Sequence, residues 1–454
     1  TPVSSIPRME FSEPFNLSSD GQPGRATAEY SPCGSMLASV NEMQVTIRDA
    51  ESFAIIRVCD CCDIVQHIDW TFDSRYIMCA QLLRARVWVF PVISDNKSEM
   101  APAPVVKVDE GICGLSWAMF TPDGTHLLTC SQFNLRMTIW DLNNSNVQHY
   151  INSPKFSEKA MDFDCNGTYL AVAHRKSCKD SIALYSCRTW NMVKSWDVAT
   201  SDLSDLKFSP NGLFICAWDG PLHYNICVFA VPNGNCLVSF CAYEDALAIK
   251  TVSWSPNSMF LSVGSYDERV RIINYLTWKV MSEYTHTSGS VSSSATTIYL
   301  EKTSRSNSQY IIGSVPFTPP EVQPDPEKPN PKLGIGLLQW SADSEYLATR
   351  NDNHPTCVYV WATKTLSLVC VLVHLQPVKS FSWSKIKPQL FLVTENSRLF
   401  TWTPGGAACI IIPSDDIRAI SCAVNPKRDS LLLLDRSQAI GCFILDERSN
   451  DLTN

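Results

Sequence analysis

The stretch from Ile249 to Ile273 reads IKTVSWSPNSMFLSVGSYDERVRII and indicates the fold class. Val252 and Trp254 alternate with polar neighbours, which is typical of a half-buried β-strand. The residues 255–258 (SPNS) end that strand, because proline presets a turn and Asn and Ser hydrogen-bond their own backbone. A second strand, a polar turn at 266–269 and two further strands follow. The stretch therefore predicts one four-stranded antiparallel unit.

The turn after the first strand recurs along the chain about every 40 to 50 residues, apart from one step of about 86 residues. Its anchor positions are Gly34, Ser74, Gly124, Gly167, Gly212, Ser258, Ser344, Pro388 and Lys427. A four-stranded repeat of about 40–45 residues is typical of a WD40 blade. We therefore predict an all-β fold, a WD40-type β-propeller with a single ring of nine blades. The alternative is a ring of seven or eight blades with extra strands packed outside it.

Shifts in composition divide the chain into five segments. These are a flexible N terminus (1–10), blades 1–6 (11–284), an insertion rich in Ser, Thr and Pro (285–333), blades 7–9 (334–446) and a tail (447–454). The insertion is expected to be largely flexible, because such a composition buries too little apolar surface to order itself. The stretch of blade 9 contains only three strand patterns, so we expect residues 11–17 to add its fourth strand and close the ring.

Composition excludes several classes of protein. A net charge of −8 and a pI of about 5.5 argue against nucleic-acid binding, which needs a strongly basic face. No apolar run reaches the roughly 18 residues of a membrane-spanning helix. The 19 cysteines are odd in number and irregularly spaced, which indicates reduced thiols and a cytoplasmic protein.

The sequence offers little that resembles a reaction centre. Cys59-Asp60-Cys61-Cys62 with His67 is the one metal-like cluster, and its spacing does not fit a zinc site, which needs cysteines two or more residues apart and a second pair. The glycines at Gly334 and Gly336 open a strand pattern and lack the lysine of a phosphate-binding loop. We therefore predict no catalytic residue, no metal and no cofactor, and a protein that is not an enzyme.

Basic residues cluster in the turns between the second and third strands of three successive blades. They are Arg84, Arg86, Arg136, Arg175, Lys176 and Lys179. The corresponding turns of blades 5 to 7 carry mostly acidic residues, Asp219, Asp267, Glu268 and Asp352. One interpretation is ordinary solvated charge. The functional hypothesis is a basic arc on the upper face of the propeller that binds an acidic segment of a protein partner.

Several longer motifs go beyond a generic propeller. They are Gln66-His67-Ile68-Asp69-Trp70, Gly264-Ser265-Tyr266-Asp267, NPKLGIG at 330–336 and ATRNDN at 348–353. On these motifs the chain resembles the WD-repeat-eight family of centrosomal and spindle-pole WD-repeat proteins, from Phe11 to about Phe443. The tail beyond Leu445 departs from the family pattern.

The resemblance implies a non-catalytic scaffold of the cytoplasm and cytoskeleton, located at the centrosome, spindle pole or basal body. It implies a coiled-coil partner at the spindle pole, contact with the microtubule minus-end or γ-tubulin machinery, and roles in anchoring minus ends, organising the spindle and assembling cilia. Two alternatives stay open. A ubiquitin-ligase substrate receptor often carries arginine two places after Trp140-Asp141, where this chain has Asn143. A translation-factor-like propeller would contact RNA, which the acidic balance disfavours.

Overall fold

The structure is a computed structural model that describes residues 8–17, 28–92, 103–111, 114–286, 290–304, 307–323, 327, 332–414 and 416–445. The chain forms two compact units, one of residues Asn16–Ala242 and one of Thr1–Phe15 with Tyr243–Asn454. Within the described residues the first two strands are β1 (Arg8–Phe11) and β2 (Phe15–Asn16), and both pair with the strand Gln438–Leu445.

The unit of residues 16–242 contains five antiparallel sheets of four strands, each sheet formed by consecutive strands. Blade 1 contains β3 (Ala28–Tyr30), β4 (Met36–Asn41), β5 (Gln44–Asp49) and β6 (Ile55–Asp60). Blade 2 contains β7 (His67–Trp70), β8 (Tyr76–Gln81), β9 (Arg86–Pro91) and β10 (Val106–Asp109). Blade 3 contains β11 (Trp117–Phe120), β12 (His126–Cys130), β13 (Arg136–Asp141) and β14 (Asn146–Asn152). Blade 4 contains β15 (Met161–Phe163), β16 (Tyr169–Lys176), β17 (Lys179–Ser186) and β18 (Met192–Asp197), and blade 5 contains β19 (Leu203–Phe208), β20 (Phe214–Asp219), β21 (Ile226–Ala230) and β22 (Asn235–Phe240).

The other unit contains blades 6 to 9. Blade 6 contains β23 (Ile249–Trp254), β24 (Phe260–Ser265), β25 (Arg269–Asn274) and β26 (Val280–Thr285). A hairpin of β27 (Thr297–Ser304) and β28 (Asn307–Ile312) precedes blade 7, which contains β29 (Ile335–Trp340), β30 (Tyr346–Asn351), β31 (Cys357–Ala362) and β32 (Ser367–Val373). Blade 8 contains β33 (Ser380–Trp383), β34 (Leu390–Val393), β35 (Arg398–Thr403) and β36 (Gly406–Ile411), and blade 9 contains β37 (Ser421–Val424), β38 (Ser430–Leu434) and β39 (Gln438–Leu445). The all-β propeller class predicted from the sequence is confirmed, with nine blades rather than seven or eight.

The recurring turn depends on a backbone conformation that few residue types adopt easily. At seven of its nine anchors the backbone φ is positive, between 60° and 72°, which glycine adopts without steric cost. These anchors are Gly34, Ser74, Gly124, Gly167, Gly212, Ser258 and Ser344. In blade 6 the hydroxyl of Ser255 accepts a hydrogen bond from the Phe260 amide at 2.9 Å and donates one to Asn257 at 2.7 Å, which fixes the turn quoted above. The turn is therefore held by its own side chains.

The chain's start completes blade 9, as predicted, but with an earlier strand. β1 runs antiparallel to β39, with Arg8 opposite Leu445 and Phe11 opposite Cys442. The predicted strand at 11–17 is therefore wrong in its position, because residues 12–14 lie between β1 and the two-residue β2. Residues 8–10, predicted to be part of a flexible terminus, belong to the sheet, and Met9 packs on the core shared by blades 8 and 9.

The insertion is more ordered than its composition predicted. β27 pairs in parallel with β32, and β28 pairs with β27, so the hairpin extends the sheet of blade 7 to six strands. The buried Tyr310 of this hairpin donates its hydroxyl to His374 at 2.6 Å and packs on Phe400 of blade 8. Glu301 pairs with Arg398 of blade 8 at 2.8 Å. The prediction of a largely flexible insertion is therefore wrong for the hairpin, which is tied to blade 8 by burial and charge.

Buried polar side chains join blade 6 to blade 7. His286 contacts the Glu268 carbonyl through Nδ1 at 3.2 Å and Thr349 Oγ1 through Nε2 at 2.7 Å. Trp361 donates its indole N–H to the same threonine at 2.9 Å, and Tyr284 stacks on Trp361 with ring centroids 4.4 Å apart. Burial lowers the pKa of His286 to about 3, so the imidazole is neutral and donates through Nδ1.

We expect deletion of residues 1–12, which removes β1, to lower the melting temperature by several degrees. The four paired residues of β1 and the partly buried Met9 and Phe11 together contribute a few kcal/mol, at about 0.5–1.5 kcal/mol for each hydrogen bond. Thermal unfolding of the purified chain measures the change. Deletion of residues 1–7 is the matched control because it keeps all of β1, and equal melting temperatures of the two truncations would contradict the role of the strand.

We expect His286 to make stability depend on pH. Folding lowers the pKa of His286. The unfolded chain is therefore protonated at this histidine below about pH 6.5, whereas the folded chain stays unprotonated there down to about pH 3. The contribution of His286 is therefore complete above pH 6.5 and is lost as the pH falls, by about 2 kcal/mol between pH 7 and pH 5. Urea unfolding of His286→Gln beside the parent chain measures this: the gap between the two should narrow on acidification, and parallel pH profiles would be the contrary result.

Candidate functional site

The six predicted basic residues lie in or beside the turns between the second and third strands of blades 2, 3 and 4. We call residues 82–86, 132–136, 175–180 and 219–225 the turn surface; the last range is the corresponding turn of blade 5. All of these residues lie in the unit of residues 16–242.

In blade 2 both arginines are paired with carboxylates. Arg84 donates to Asp63, and Arg86 lies 3.0 Å from Asp109. The hydrogen bond from Arg84 lowers the pKa of Asp63, and the hydrogen bond from Arg86 does the same for Asp109. Both pairs are exposed, so each contributes little to stability and its positive charge is largely offset.

The arginines of blades 3 and 4 are paired as well. Arg136 lies 3.4 Å from the buried Glu110 and covers the ring of Tyr150 at 5.0 Å. Arg175 lies 3.2 Å from Asp180 and 2.8 Å from Asp202. Glu110 and Asp202 come from the loops between blades, which the sequence reading of single turns did not include, whereas Asp180 lies opposite Arg175 in the same hairpin. The basic arc therefore carries much less free charge than the residue types suggest.

Lys176 and Lys179 are the exception. They face each other across the tight turn of Ser177 and Cys178, whose φ values are 51° and 61°. Both lysines are exposed, and within the described residues neither forms an ion pair. Like charges placed opposite each other on a sheet repel, so this pair favours an arriving carboxylate.

A buried ion network lies beneath the turns of blades 4 and 5. Lys155, with 6% of its side chain exposed, donates to Asp180 at 2.9 Å, to Asp202 at 2.8 Å and to the Leu203 carbonyl at 2.7 Å. Asp180 is fully buried and also accepts the Leu203 amide at 2.7 Å. The hydrogen bond from Lys155 lowers the pKa of Asp202. All three donor sites of the ammonium are used, as a buried charge requires.

The four turns are joined by the loops that connect successive blades. Glu110 donates its amide to the Ala85 carbonyl at 2.9 Å and accepts from Arg136, linking the turns of blades 2 and 3. Ser153 donates to the Leu135 carbonyl at 2.9 Å, and its own carbonyl contacts His174 of blade 4 at 3.1 Å. Asp202 donates its amide to Asp219 of blade 5 at 2.7 Å. The turn surface is therefore one continuous, hydrogen-bonded platform.

The acidic turn residues named from the sequence have structural partners. Asp219 is buried and caps backbone amides of the preceding loop, and burial raises its pKa. Asp352 pairs with Lys250 at 2.7 Å and with Arg350 at 2.6 Å. Glu268 accepts from Asn351 at 2.7 Å, and Asp267 pairs with Arg271 at 2.6 Å. The sequence alone could not distinguish these hydrogen-bonded or ion-paired carboxylates from carboxylates that are free on the surface.

The described residues hold no group of three or more His, Cys, Asp or Glu side chains placed to bind a metal ion. Of the metal-like cluster, Cys59 and Cys61 are buried and Cys62 is exposed, all as free thiols. In the parts of the chain that the structure describes, no helix is long and apolar enough to cross a bilayer.

Comparison with known proteins defines the family. The family model for the WD domain, G-beta repeat, matches residues 232–274. The chain is 35% identical over 459 residues to WD repeat-containing protein WRAP73 of Mus musculus, and the match covers 96% of each chain. The chain belongs to the WRAP73 family of WD-repeat proteins. The family predicted from the sequence motifs is thereby confirmed.

Two more distant similarities also involve WD-repeat proteins. An uncharacterized WD repeat-containing protein of Schizosaccharomyces pombe, C32H8.09, is 20% identical over 406 residues, covering 84% of this chain and 78% of that protein. The crystal structure of the C-terminal WD40 domain of Sif2 matches with a TM-score of 0.52 at 9% identity, covering 84% of this chain and 96% of that chain. The Sif2 similarity supports the fold alone.

We expect Lys155→Met to destabilise the protein by about 3–5 kcal/mol, because it leaves Asp180 buried with Arg175 as its remaining cation. Urea unfolding followed by tryptophan fluorescence measures the loss. Lys159→Met is the matched control, since Lys159 is exposed, covers the ring of Phe156 at 4.3 Å and acts on Asp202 through its charge, without an ion pair in the described residues. A loss for Lys155→Met no larger than that of the control would show that the network does not hold the turns.

Proposed function

We propose that the chain is a non-catalytic WD-repeat scaffold of the centrosome, spindle pole or basal body. In this role it binds a coiled-coil partner to anchor microtubule minus ends, contacts the minus-end or γ-tubulin machinery, organises the spindle and supports cilium assembly. The observation that carries the proposal is the match to WRAP73 along 96% of both chains, which preserves the whole set of blades rather than one repeat. WD40 propellers act through protein–protein interaction, and the spindle-pole role follows from the family resemblance of the sequence motifs.

The turn surface supports a binding role. Its backbone is fixed by hydrogen bonds between loops, and its arginines are held in place by carboxylates. A platform that is ordered before the partner arrives loses little conformational entropy on binding. The six basic residues remain our hypothesis for the partner-binding site, with Lys176 and Lys179 as the cations that a partner's carboxylates can pair with.

Proximity labelling in dividing cells tests the proposed function. A biotin ligase fused to the full chain should enrich coiled-coil proteins of the spindle pole over the ligase alone, with the signal concentrated at the poles in mitosis. Enrichment of cullin-type ligase adaptors would instead favour the substrate-receptor alternative, and enrichment of ribosomal proteins would favour the translation-factor alternative. Either of these results, without spindle-pole proteins, would overturn the proposal.

A further inference from the structure

Large apolar side chains stand at the tips of the turn surface. Leu83 of blade 2 is 82% exposed, Phe133 and Leu135 of blade 3 are 87% and 56% exposed, and Leu222 of blade 5 is 74% exposed. Each lies in the turn between the second and third strands of its blade, beside the residues of the predicted basic arc. Single exposed apolar residues are ordinary, but four at the same end of blades 2, 3 and 5 indicate a surface that another molecule covers.

The position of Phe133 is unfavourable for the free protein. Its φ is 60° and ψ 20°, and the φ of the next residue, Asn134, is 54°. A bulky side chain with positive φ is strained, and glycine would adopt this conformation without cost. The Asn134 side chain donates to the Lys155 carbonyl at 3.1 Å, so the strained turn is fixed to the buried network below it. Trp190 and Trp278 have similar φ values, 58° and 54°, but both are much less exposed than Phe133, so the strained conformation and the exposed ring coincide at Phe133.

The charge around the apolar tips limits what can bind there. Each of the four arginines is paired with a carboxylate, as described above, so the turn surface lacks the large excess of positive charge that nucleic acids and anionic membranes select. Among the residues of the turn surface, the exposed cations without an ion-pair partner in the described residues are Lys176 and Lys179, between the tips of blades 3 and 5. Apolar tips around two lysines complement an apolar protein surface that carries carboxylates.

We infer that Leu83, Phe133, Leu135 and Leu222 anchor a helical protein segment with one apolar face, whose bordering carboxylates pair with Lys176 and Lys179. In this arrangement apolar contact provides most of the affinity, and the lysines orient the segment and speed its arrival. An amphipathic helix of this kind presents apolar residues every three to four positions and charged residues beside them. The inference rests on the proposed function only in identifying the segment with the expected coiled-coil partner.

Site-specific photocrosslinking tests which molecule covers the tips. Benzoylphenylalanine in place of Phe133, Leu83 or Leu222 of the full chain, activated in dividing cells, should crosslink to a protein, and the crosslinked peptide should be an acidic amphipathic helix. Phe72 is the matched control because it is 76% exposed but lies in the turn at the other end of the strands of blade 2. Crosslinks to lipid or nucleic acid, the same product from position 72, or no product from all three tips would overturn the inference.

A synthetic peptide of the crosslinked segment then measures the energetics. Phe133→Gly removes the ring and relieves the strained φ, so its affinity for the peptide should fall at least tenfold while its melting temperature stays equal or rises. Phe72→Ser should leave the affinity unchanged, and Lys176→Glu with Lys179→Glu should slow association. Undiminished binding by Phe133→Gly would overturn the inference. An acidic helix from a protein that is absent from spindle poles would keep the inference and remove the proposed function.

Discussion

A sheet of four short strands cannot bury both of its faces, and this constraint governs the molecule. The apolar residues of each blade are covered by those of the next: one core cluster joins Val40 and Ile47 of blade 1 to Ile68 and Ile77 of blade 2. Similar clusters join blades 2 and 3, 3 and 4, and 4 and 5 in one unit, and blades 6 and 7, 7 and 8, and 8 and 9 in the other. Blade 9 has three strands from its own stretch of the chain, β37, β38 and β39. Its fourth strand comes from the start of the chain, where β1 pairs with β39.

Polar side chains at the blade interfaces form directional hydrogen bonds in addition to this apolar packing. Before blade 3, the buried Glu110 accepts from Thr129 and from Trp140, and before blade 7 His286 takes the equivalent place beside Thr349 and Trp361. Some residues that mark the family serve the same purpose. In the ATRNDN motif, Asn353 accepts the Gly334 amide at 3.0 Å, and Asp352 pairs with Lys250. A Cβ at Gly336 would lie 2.4 Å from a carboxylate oxygen of Asp352, which Lys250 and Arg350 hold in place, so packing favours glycine here. These residues of the 330–336 and 348–353 motifs are thus structural.

The sequence allowed the blades to be counted because each one repeats the same local chemistry. Turn anchors with positive φ and strands of alternating polarity are encoded within a few residues, so position in the chain hardly matters. The order of the insertion could not be predicted in this way. Its strand β27 pairs with β32, about 70 residues further along the chain, and no local sequence pattern indicates such a partner. The closing strand was expected for the right reason and placed a few residues late, since strand boundaries depend on the register against β39.

The candidate site shows the same limit in electrostatic terms. A sequence reveals where cations lie along the chain, but the carboxylates that offset Arg84, Arg136 and Arg175 come from loops between blades, and only folding brings them together. Folding thus converts a basic sequence pattern into a nearly neutral, rigid surface and leaves the apolar tips and two lysines as its distinctive features. Among those tips Phe133 combines a φ of 60°, which glycine adopts without cost, with a ring that is 87% exposed, and contact with a partner would bury that ring.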